Sequence, residues 1–375
     1  MKILVHQPRL SYFIGGGETV PLQQAEILSQ LGHKVEILTS KPPKYSEIYE
    51  EFKIKNPQVL LHELELKDSQ RDIYKEIPGK DWSRWDREAI YFGQTANDFY
   101  SLANDYDLVV THLLSDSLFV PLKYNNVLHL HGVPSKWRSF DEIFLSRPNH
   151  FVSVSEYVTK GWRTLYPLLR ERSIDTCYNG INSNKYLNQN KTRDIDLLYV
   201  GRLIQIKGIF DIIKALGVLK QGGLKINKLV VVGAGPELER MKSESQREGV
   251  DNLIEFDSNI PTKKLIDYYN RSKIFLCPSY DKEGVLTTML EAASCGCAII
   301  TADCCGMVEF ARSDVNSKVV IPQNPQSLAD SINLILTDDN LRKKLVTKAA
   351  NDIKESWDTE QTVNRLIKVY EKYVK

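Results

Sequence analysis

Two glutamates eight residues apart give the clearest indication of chemistry in this sequence. Glu283 and Glu291 flank the turn Gly284-Val285-Leu286 and the predicted start of a helix. The N–H groups at a helix start lack intrahelical partners and suit a phosphate or a sugar hydroxyl. Both carboxylates can accept hydrogen bonds from vicinal hydroxyls. Two carboxylates alone would fit a glycosidase pair, and the plain alternative is an amphipathic helix with exposed acids. The phosphate-binding surroundings favour a nucleotide sugar.

Two cations lie on another predicted strand-to-helix loop. Arg202 and Lys207 belong to residues 201–208, which follow one predicted strand and precede a helix. Each can form a charge-assisted hydrogen bond with a diphosphate, which contributes about 1.5–3 kcal/mol. The alternative is a solvated surface pair, the usual fate of arginine and lysine. The spacing predicts a loop that binds a diphosphate.

Two glycine-rich segments have different predicted roles. Residues 15–17 are three glycines between the first predicted strand and the first predicted helix, where backbone N–H groups can approach a ligand closely. We predict that Gly15 and Gly16 lie near a phosphate or sugar; the alternative is a flexible loop tip, and no P-loop sequence follows. Residues 233–235 begin like a dinucleotide fingerprint, but Leu238 stands where its third glycine belongs. We interpret them as a structural turn and predict no NAD site.

His131 ends a predicted strand, where its side chain would lie at the carboxyl edge of a sheet. A single histidine there is more often a hydrogen-bonded structural residue than a functional one. His129 lies two residues earlier on the same side of that strand and is interpreted as structural.

The cysteines are predicted to be small buried residues. All six lie after residue 176, and neither Cys295-x-Cys297 nor the adjacent Cys304-Cys305 has the spacing of a zinc site. With no export signal at the N-terminus, a disulfide framework is not expected. We predict no metal and no other resident cofactor.

The elements that must position these residues alternate between short apolar runs and amphipathic stretches. This pattern predicts two series of β-α-β units, each a doubly wound parallel sheet covered by helices. A polar, Asn-rich segment at residues 182–194 marks the boundary between them. Ligands bind outside the carboxyl ends of the strands in such sheets, so the site is expected in a cleft between two domains. Residues 41–85 are interpreted as a long insertion over the first domain.

The composition excludes several classes of protein. The chain has 375 residues, 49 basic and 48 acidic, for a net charge of +1, with 42% hydrophobic and 26% charged residues. These values argue against disorder and a coiled coil. The charge balance argues against nucleic-acid binding, and no apolar run is long enough for a transmembrane helix. We expect a cytoplasmic protein; peripheral contact with the inner face of a membrane stays open.

In this order, the motifs resemble those of the retaining glycosyltransferases of the GT-B fold, in particular the large GT4 family, also called glycosyl transferases group 1. The resemblance covers nearly the whole chain. It rests on Gly15-Gly16, Leu31-Gly32-His33-Lys34-Val35, His131-Gly132, Val154-Ser155-Glu156, Tyr178-Asn179-Gly180-Ile181, Gly201-Arg202-Leu203 with Lys207-Gly208, the spacing of Glu283 and Glu291, and Ser356-Trp357.

The resemblance implies an α/β architecture of two Rossmann-like domains facing across a deep cleft. Residues 1–181 would form the acceptor-side domain and residues 195–356 the domain that binds the nucleotide-sugar donor. A C-terminal helix, about residues 357–375, would cross back onto the first domain.

The resemblance also assigns roles in the second domain. Arg202 and Lys207 would bind the donor diphosphate, and Glu291 would hold the ribose hydroxyls. Glu283 would contact the hydroxyls of the transferred sugar, with the backbone amides of Gly284, Val285 and Leu286 nearby.

In the first domain, Gly16 and its neighbour Gly15 would approach the phosphate as the cleft closes. His131 would lie beside the sugar and the reaction centre.

Three departures from the family pattern leave the identity of the transferred sugar undecided. Val285-Leu286 replaces the usual Phe-Gly in the loop that lines the hexose pocket. Cys305-Gly306 replaces a usual Gly-Gly, and Ser258 takes the place of a frequent glycine.

The expected reaction moves a hexose-type sugar from a nucleotide diphosphate sugar to an acceptor hydroxyl with retention of configuration. A UDP-sugar is favoured and a GDP-sugar is next. The acceptor would be a sugar, a lipid-linked or another small molecule, in polysaccharide, glycolipid or other glycoconjugate biosynthesis. The alternatives are a sugar-nucleotide epimerase or phosphorylase on the same fold, or a non-catalytic nucleotide-sugar-binding protein.

Overall fold

The computed structural model describes residues 1–65, 83–102, 105–258 and 260–374. The chain forms two compact units. Unit 1 comprises Met1–Tyr178 and Thr362–Lys375, and unit 2 comprises Asn179–Gln361. Each unit is built on one fully parallel sheet, which confirms the predicted α/β class.

Unit 1 contains a seven-stranded sheet. Its elements are β1 (Lys2–His6), α1 (Gly16–Gln30), β2 (Lys34–Ser40), α2 (Glu47–Lys55), β3 (Leu60–Leu64), α3 (Arg84–Leu102), β4 (Leu108–Thr111), β5 (Asn126–Leu130), α4 (Asp141–Leu145), β6 (His150–Ser153), α5 (Glu156–Leu165) and β7 (Ile174–Thr176). The strand order is β3-β2-β1-β4-β5-β6-β7. Strands β4 and β5 are buried throughout, because helices cover both faces of a parallel sheet.

Unit 2 contains a six-stranded sheet. Its elements are β8 (Ile195–Val200), α6 (Ile209–Gln221), β9 (Leu229–Val232), α7 (Leu238–Arg247), β10 (Ile254–Asp257), α8 (Thr262–Arg271), β11 (Ser272–Cys277), α9 (Thr287–Ser294), β12 (Ala298–Ala302), β13 (Lys318–Val320), α10 (Pro325–Thr337) and α11 (Asp339–Asp352). The strand order is β10-β9-β8-β11-β12-β13. The order reverses between β8 and β11, as it does between β1 and β4 in unit 1. Ligands of doubly wound sheets bind at this reversal.

The last helix, α12 (Thr359–Val374), supplies core residues of unit 1. Val363, Leu366, Val369 and Tyr370 are buried in the same cluster as the apolar residues of β1 and β2. The Tyr370 hydroxyl also lies 2.7 Å from Nε2 of His129 on β5. The core of unit 1 therefore includes side chains from both ends of the chain.

Two predictions on local structure are wrong. The three glycines are predicted to precede the first helix, but α1 begins at Gly16, with Gly15 as its N-cap, so Gly16 and Gly17 lie in the first helical turn. Helix α2 and strand β3 lie within residues 41–85, and β3 pairs with β2 along its whole length. Part of the supposed insertion is thus the edge of the sheet. Residues 66–82, including Trp82, lie outside the described residues.

Among the described residues, no helix combines the length and the apolar character that crossing a membrane requires.

Candidate active site

The loop after β8 carries both predicted phosphate-binding cations and has a fixed backbone. The Tyr199 hydroxyl donates a hydrogen bond to the carbonyl oxygen of Arg202 (2.9 Å). Gly208 has a left-handed backbone with φ of 69°, and a Cβ added there would lie 2.2 Å from the carbonyl oxygen of Pro278. Only glycine allows this approach, so the loop after β8 packs directly on the segment after β11.

Residues 233–235 support the same loop from the other side. A Cβ on Gly233 would lie 1.9 Å from the carbonyl oxygen of Gly201, and one on Gly235 would lie 2.3 Å from that of Leu203. The Leu203 N–H donates to the carbonyl oxygen of Ala234 (2.9 Å). These contacts account for both glycines as a turn that positions the cationic loop.

Lys207 and Glu283 form an ion pair that joins two of the predicted site residues. Lys207 Nζ lies 2.8 Å from Glu283 Oε1, and the two side chains are only 9% and 13% exposed. The two residues come from the loops after β8 and β11, the strands at which the sheet order reverses. An ion pair this well shielded is electrostatically stronger than one at an open surface.

Arg202 lies on the same loop but is exposed. Within the part of the chain that the structure describes, its guanidinium has neither a hydrogen-bond acceptor nor an ion-pair partner. Its positive charge is therefore available to an anion from solution.

Among the described residues, the backbone N–H groups from Gly284 to Thr288 have no hydrogen-bond acceptor. Helix α9 starts after Leu286, and no side chain caps its N-terminus. The N–H groups of Gly284, Val285 and the first turn of α9 directly follow Glu283 in the sequence. The carbonyl oxygen of Glu283 accepts a hydrogen bond from the Gly306 N–H (2.9 Å). Cationic side chains and free amides thus converge at one edge of the sheet, an arrangement suited to a phosphate.

Glu291 makes its hydrogen bonds with two tyrosines rather than with the Lys207–Glu283 pair. The buried Tyr269 hydroxyl donates to Glu291 Oε2 (2.9 Å), and Tyr186 also hydrogen-bonds to this carboxylate. No hydrogen bond or ion pair of the described residues joins Glu291 to Lys207 or Glu283. Burial raises the pKa of Glu291 to about 7. Tyr186 and Tyr269 lie 105 and 22 residues before Glu291, and no local pattern links them to it.

In unit 1, the glycines after β1 leave open space. A Cβ added to Gly16 or Gly17 would meet no atom within 4 Å, whereas one on Gly15 would lie 3.0 Å from the Glu18 carboxylate. Neither the packing nor a positive φ requires glycine at position 16. A ligand that approaches the backbone closely would account for it.

His131 belongs to a group of three imidazoles in unit 1, which we term the histidine group: His112, His129 and His131. His112 Nδ1 lies 2.8 Å from His131 Nε2, and His112 and His129 are nearly fully buried. Burial lowers the pKa of His131 to about 4 and lowers the pKa of the other two as well. All three are neutral at physiological pH. No local pattern in the sequence indicates His112, which follows β4, the neighbour of β5 in the sheet.

The histidine group is also the one cluster among the described residues with the ligand spacing of a metal site, because its three ligand atoms lie within 4.8 Å of one another. Two contacts already engage the ring nitrogens: the pair of His112 with His131, and the bond of His129 to Tyr370. These two bonds account for three of the six ring nitrogens of the histidine group.

Trp137 and Arg138 lie between β5 and α4 in unit 1. Trp137 is half exposed, and its indole N–H lies 3.3 Å from Glu142 Oε1. Arg138 lies 2.7 Å from carboxylate oxygens of both Asp86 and Asp141. Arg138 therefore ties α3 to α4.

Family models match both units. The model of glycosyl transferases group 1 matches residues 183–352, and the model of Glycosyltransferase Family 4 matches residues 14–185. Each of the two doubly wound sheets thus lies largely within a match to a glycosyltransferase family model. The chain belongs to the GT-B glycosyltransferases, which confirms the resemblance.

Two curated relatives are 26% and 28% identical to this chain over the matched residues. An uncharacterized glycosyltransferase of Methanocaldococcus jannaschii is 26% identical over 245 residues, or 63% of this chain and 62% of that protein. The N,N'-diacetylbacillosaminyl-diphospho-undecaprenol alpha-1,3-N-acetylgalactosaminyltransferase of Campylobacter jejuni is 28% identical over 179 residues, or 48% of this chain and 45% of that protein. The matches thus span less than two thirds of these curated relatives.

Solved structures share the fold over the whole chain. HepE of Anabaena in complex with UDP-glucose has a TM-score of 0.76 at 16% identity, and the match covers 99% of this chain and 100% of that one. WaaG, a glycosyltransferase involved in lipopolysaccharide biosynthesis, has a TM-score of 0.70 at 15% identity, with 98% and 99% covered. These similarities show the GT-B fold.

Proposed function

We propose that the chain transfers a hexose-type sugar from a nucleotide diphosphate sugar to an acceptor hydroxyl with retention of configuration. The proposal rests on the groups that lie at the carboxyl edge of the unit 2 sheet. The Lys207–Glu283 pair, the unpartnered Arg202 and the uncapped start of α9 lie on the two loops at the strand reversal. This set offers cations and amides to a diphosphate, and a carboxylate to sugar hydroxyls.

The chemistry follows from the leaving group. Departure of a nucleoside diphosphate builds negative charge on its outer phosphate, which Arg202, Lys207 and the amides of Gly284 to Leu286 would stabilise. Preorganised donors of this kind are usually the largest single contribution to a rate enhancement. The acceptor proton can pass to the departing phosphate, so no strong protein base is needed. In unit 1, neutral His131 would act as a hydrogen-bonding group beside the sugar, and Gly15 and Gly16 would admit a phosphate to the backbone of α1.

The acceptor would be a sugar, a lipid-linked or another small molecule. The names of the relatives support this breadth, because the Campylobacter jejuni enzyme acts on a diphospho-undecaprenol substrate. A uridine nucleotide is the first choice of donor, since HepE was solved with UDP-glucose.

A thermal-shift panel with UDP, GDP, ADP and CMP at equal concentration tests the donor site. A ligand that binds only the native state stabilises it by about 2.7 kcal/mol at 100 times its Kd. We expect UDP to raise Tm, and the Arg202→Ala variant to lose that shift. If none of the four nucleotides raises Tm at millimolar concentration, unit 2 is not a donor-binding unit.

Donor affinity is expected to fall at acidic pH because of Glu291. An acid with a pKa of about 7 is ionised above that pH and protonated below it, and only the carboxylate accepts hydrogen bonds from both ribose hydroxyls. Between pH 8 and pH 6 the Kd for UDP-glucose should rise about tenfold. Titration calorimetry at several pH values measures this, and Glu291→Gln should bind weakly with a flat profile. A flat profile in the wild-type protein would remove Glu291 from the donor site.

Transfer is expected to need no divalent metal. The cations of unit 2 can take the place of a metal ion at the diphosphate, and we assign the histidine group to hydrogen bonding. Activity after dialysis against EDTA should stay within twofold of the untreated value, and added Mg²⁺, Mn²⁺ or Zn²⁺ should not increase it. If EDTA abolishes activity, and Zn²⁺ restores activity in the wild-type protein but not in His112→Ala, the histidine group is a metal site.

A further inference from the structure

Two adjacent cysteines in unit 2 bring their thiols into contact. Cys304 and Cys305 follow β12, and their Sγ atoms lie 2.7 Å apart. Both side chains are partly exposed, whereas the other four cysteines are buried. Cys305 has a left-handed backbone with φ of 62°, a conformation that is unfavourable for a residue with a side chain. Such strain at a reactive residue motivates a hypothesis of function.

The pair is hydrogen-bonded to the segment that leads to the donor site. The Cys304 thiol donates to the carbonyl oxygen of Tyr280 (3.0 Å). The N–H of Gly306, the residue after the pair, donates to the carbonyl oxygen of Glu283 (2.9 Å). A change in the backbone or the protonation of the cysteine pair therefore acts on both ends of residues 280–283. The last of these residues, Glu283, is the ion-pair partner of Lys207.

We propose that Cys304 and Cys305 form a dithiol site that a small-molecule disulfide oxidises to a vicinal disulfide, and that this closure weakens binding of the sugar donor. The second half rests on the proposed function of the Lys207–Glu283 pair. The first half concerns the cysteines alone.

The reaction balances as two thiol–disulfide exchanges. One cysteine sulfur attacks the disulfide RSSR, forms a mixed disulfide and releases one RSH. The second sulfur then attacks the cysteine sulfur of that mixed disulfide and releases a second RSH. The two thiols are oxidised, RSSR is reduced, and each thiol proton leaves on an RSH. Since an S–S bond is about 2.05 Å long, the sulfurs need to approach each other by only about 0.7 Å.

Ring closure has two direct consequences for the donor segment. It removes the S–H that Cys304 donates to Tyr280. It also constrains the peptide between the cysteines, whose neighbour Gly306 donates to Glu283. We expect Glu283 to lose its position relative to Lys207.

The remaining cysteines serve as internal controls. Burial raises the pKa of Cys177 and Cys297 to about 11 and that of Cys277 to about 12, so these thiols are poor nucleophiles. Burial and the neighbouring Cys305 also raise the pKa of Cys304 to about 12. Cys304 and Cys305 differ from the buried thiols in being partly exposed, and we expect their reaction to accelerate toward alkaline pH, where thiols ionise.

The test treats the full-length, reduced protein with oxidised glutathione and counts thiols after denaturation. We expect the count to fall from six to four, with a mass loss of two hydrogens, no bound glutathione and a disulfide in the peptide that holds Cys304 and Cys305. Dithiothreitol should restore six thiols. Cys177→Ser should lose the same two thiols, whereas Cys304→Ser should end with one glutathione on Cys305. Six unreacted thiols, or glutathione on both cysteines, would overturn the site.

Donor binding is measured on the same samples by titration with UDP-glucose. Oxidation should raise its Kd at least tenfold, reversibly, and the double variant Cys304→Ser/Cys305→Gly should show no change with oxidant. A vicinal disulfide with unchanged affinity would overturn the link to Glu283 while the dithiol site stands. If the reduced protein fails to bind UDP, GDP, ADP and CMP sugars alike, the proposed function fails, and the thiol count still decides the dithiol site.

Discussion

Replacing Arg202 with alanine is expected to lower turnover at least 100-fold and to leave the fold intact. The side chain is exposed, and its guanidinium has no acceptor or ion-pair partner in the described part of the chain, so its removal breaks no contact. Its charge matters only when a diphosphate is bound and, most of all, when negative charge builds up on the leaving phosphate. A 100-fold loss corresponds to about 2.7 kcal/mol, the size expected for one preorganised donor.

Steady-state kinetics with the nucleotide sugar found by the thermal-shift panel measure the effect. The drop should be in kcat as well as in kcat/KM, because the interaction strengthens in the transition state. Lys225→Ala is the matched control, since Lys225 is another exposed cation of unit 2. It should retain normal kinetics, and both variants should have the Tm of the wild-type protein. Unchanged turnover in Arg202→Ala would take this residue out of the site.

Breaking the Lys207–Glu283 pair should be still more damaging, because it acts on stability and on activity. Lys207→Met leaves the Glu283 carboxylate, only 13% exposed, without its cation. Leaving a buried polar group unsatisfied costs about 1–3 kcal/mol, so Tm should fall by several degrees. Turnover should fall about 1,000-fold, because the same lysine would bind the diphosphate. Glu283→Gln should show a smaller loss of stability and a similar loss of activity.

The double variant Lys207→Met/Glu283→Gln separates the two effects. It contains no unpaired charge, so its Tm should return toward the wild-type value, while its turnover should stay as low as that of the single variants. A double variant that regains both stability and turnover would show that the pair serves the fold alone.

The sequence allowed the fold and the placement of the site residues to be predicted for one physical reason. Strands buried on both faces appear as continuous apolar runs, as in residues 229–232, and the polar residues that follow them must lie at the carboxyl edge of the sheet. Arg202, Lys207 and Glu283 are all found by this rule. The family motifs are the source of the roles proposed for these residues.

The failures have a physical cause too. Glycines are poor helix formers, so the sequence predicts that α1 begins after residues 15–17, yet the helix begins at Gly16. Strand β3, with no fully buried residue, has no clear alternation of apolar and polar residues, so it resembled part of a loop. The tyrosines on Glu291 and the imidazole of His112 beside His131 are tertiary contacts. A single sequence contains no local signal for them.

The location of α12 also fixes an order of events during synthesis. The residues of β1 leave the ribosome well before part of the core that buries them, from Val363 to Tyr370, is made. Unit 2 has all its strands before that point and can fold while the chain is still growing. The core of unit 1 stays incomplete until α12 has been made. The N-terminal half of this chain is therefore the part most exposed to proteases and to chaperones before the chain is released.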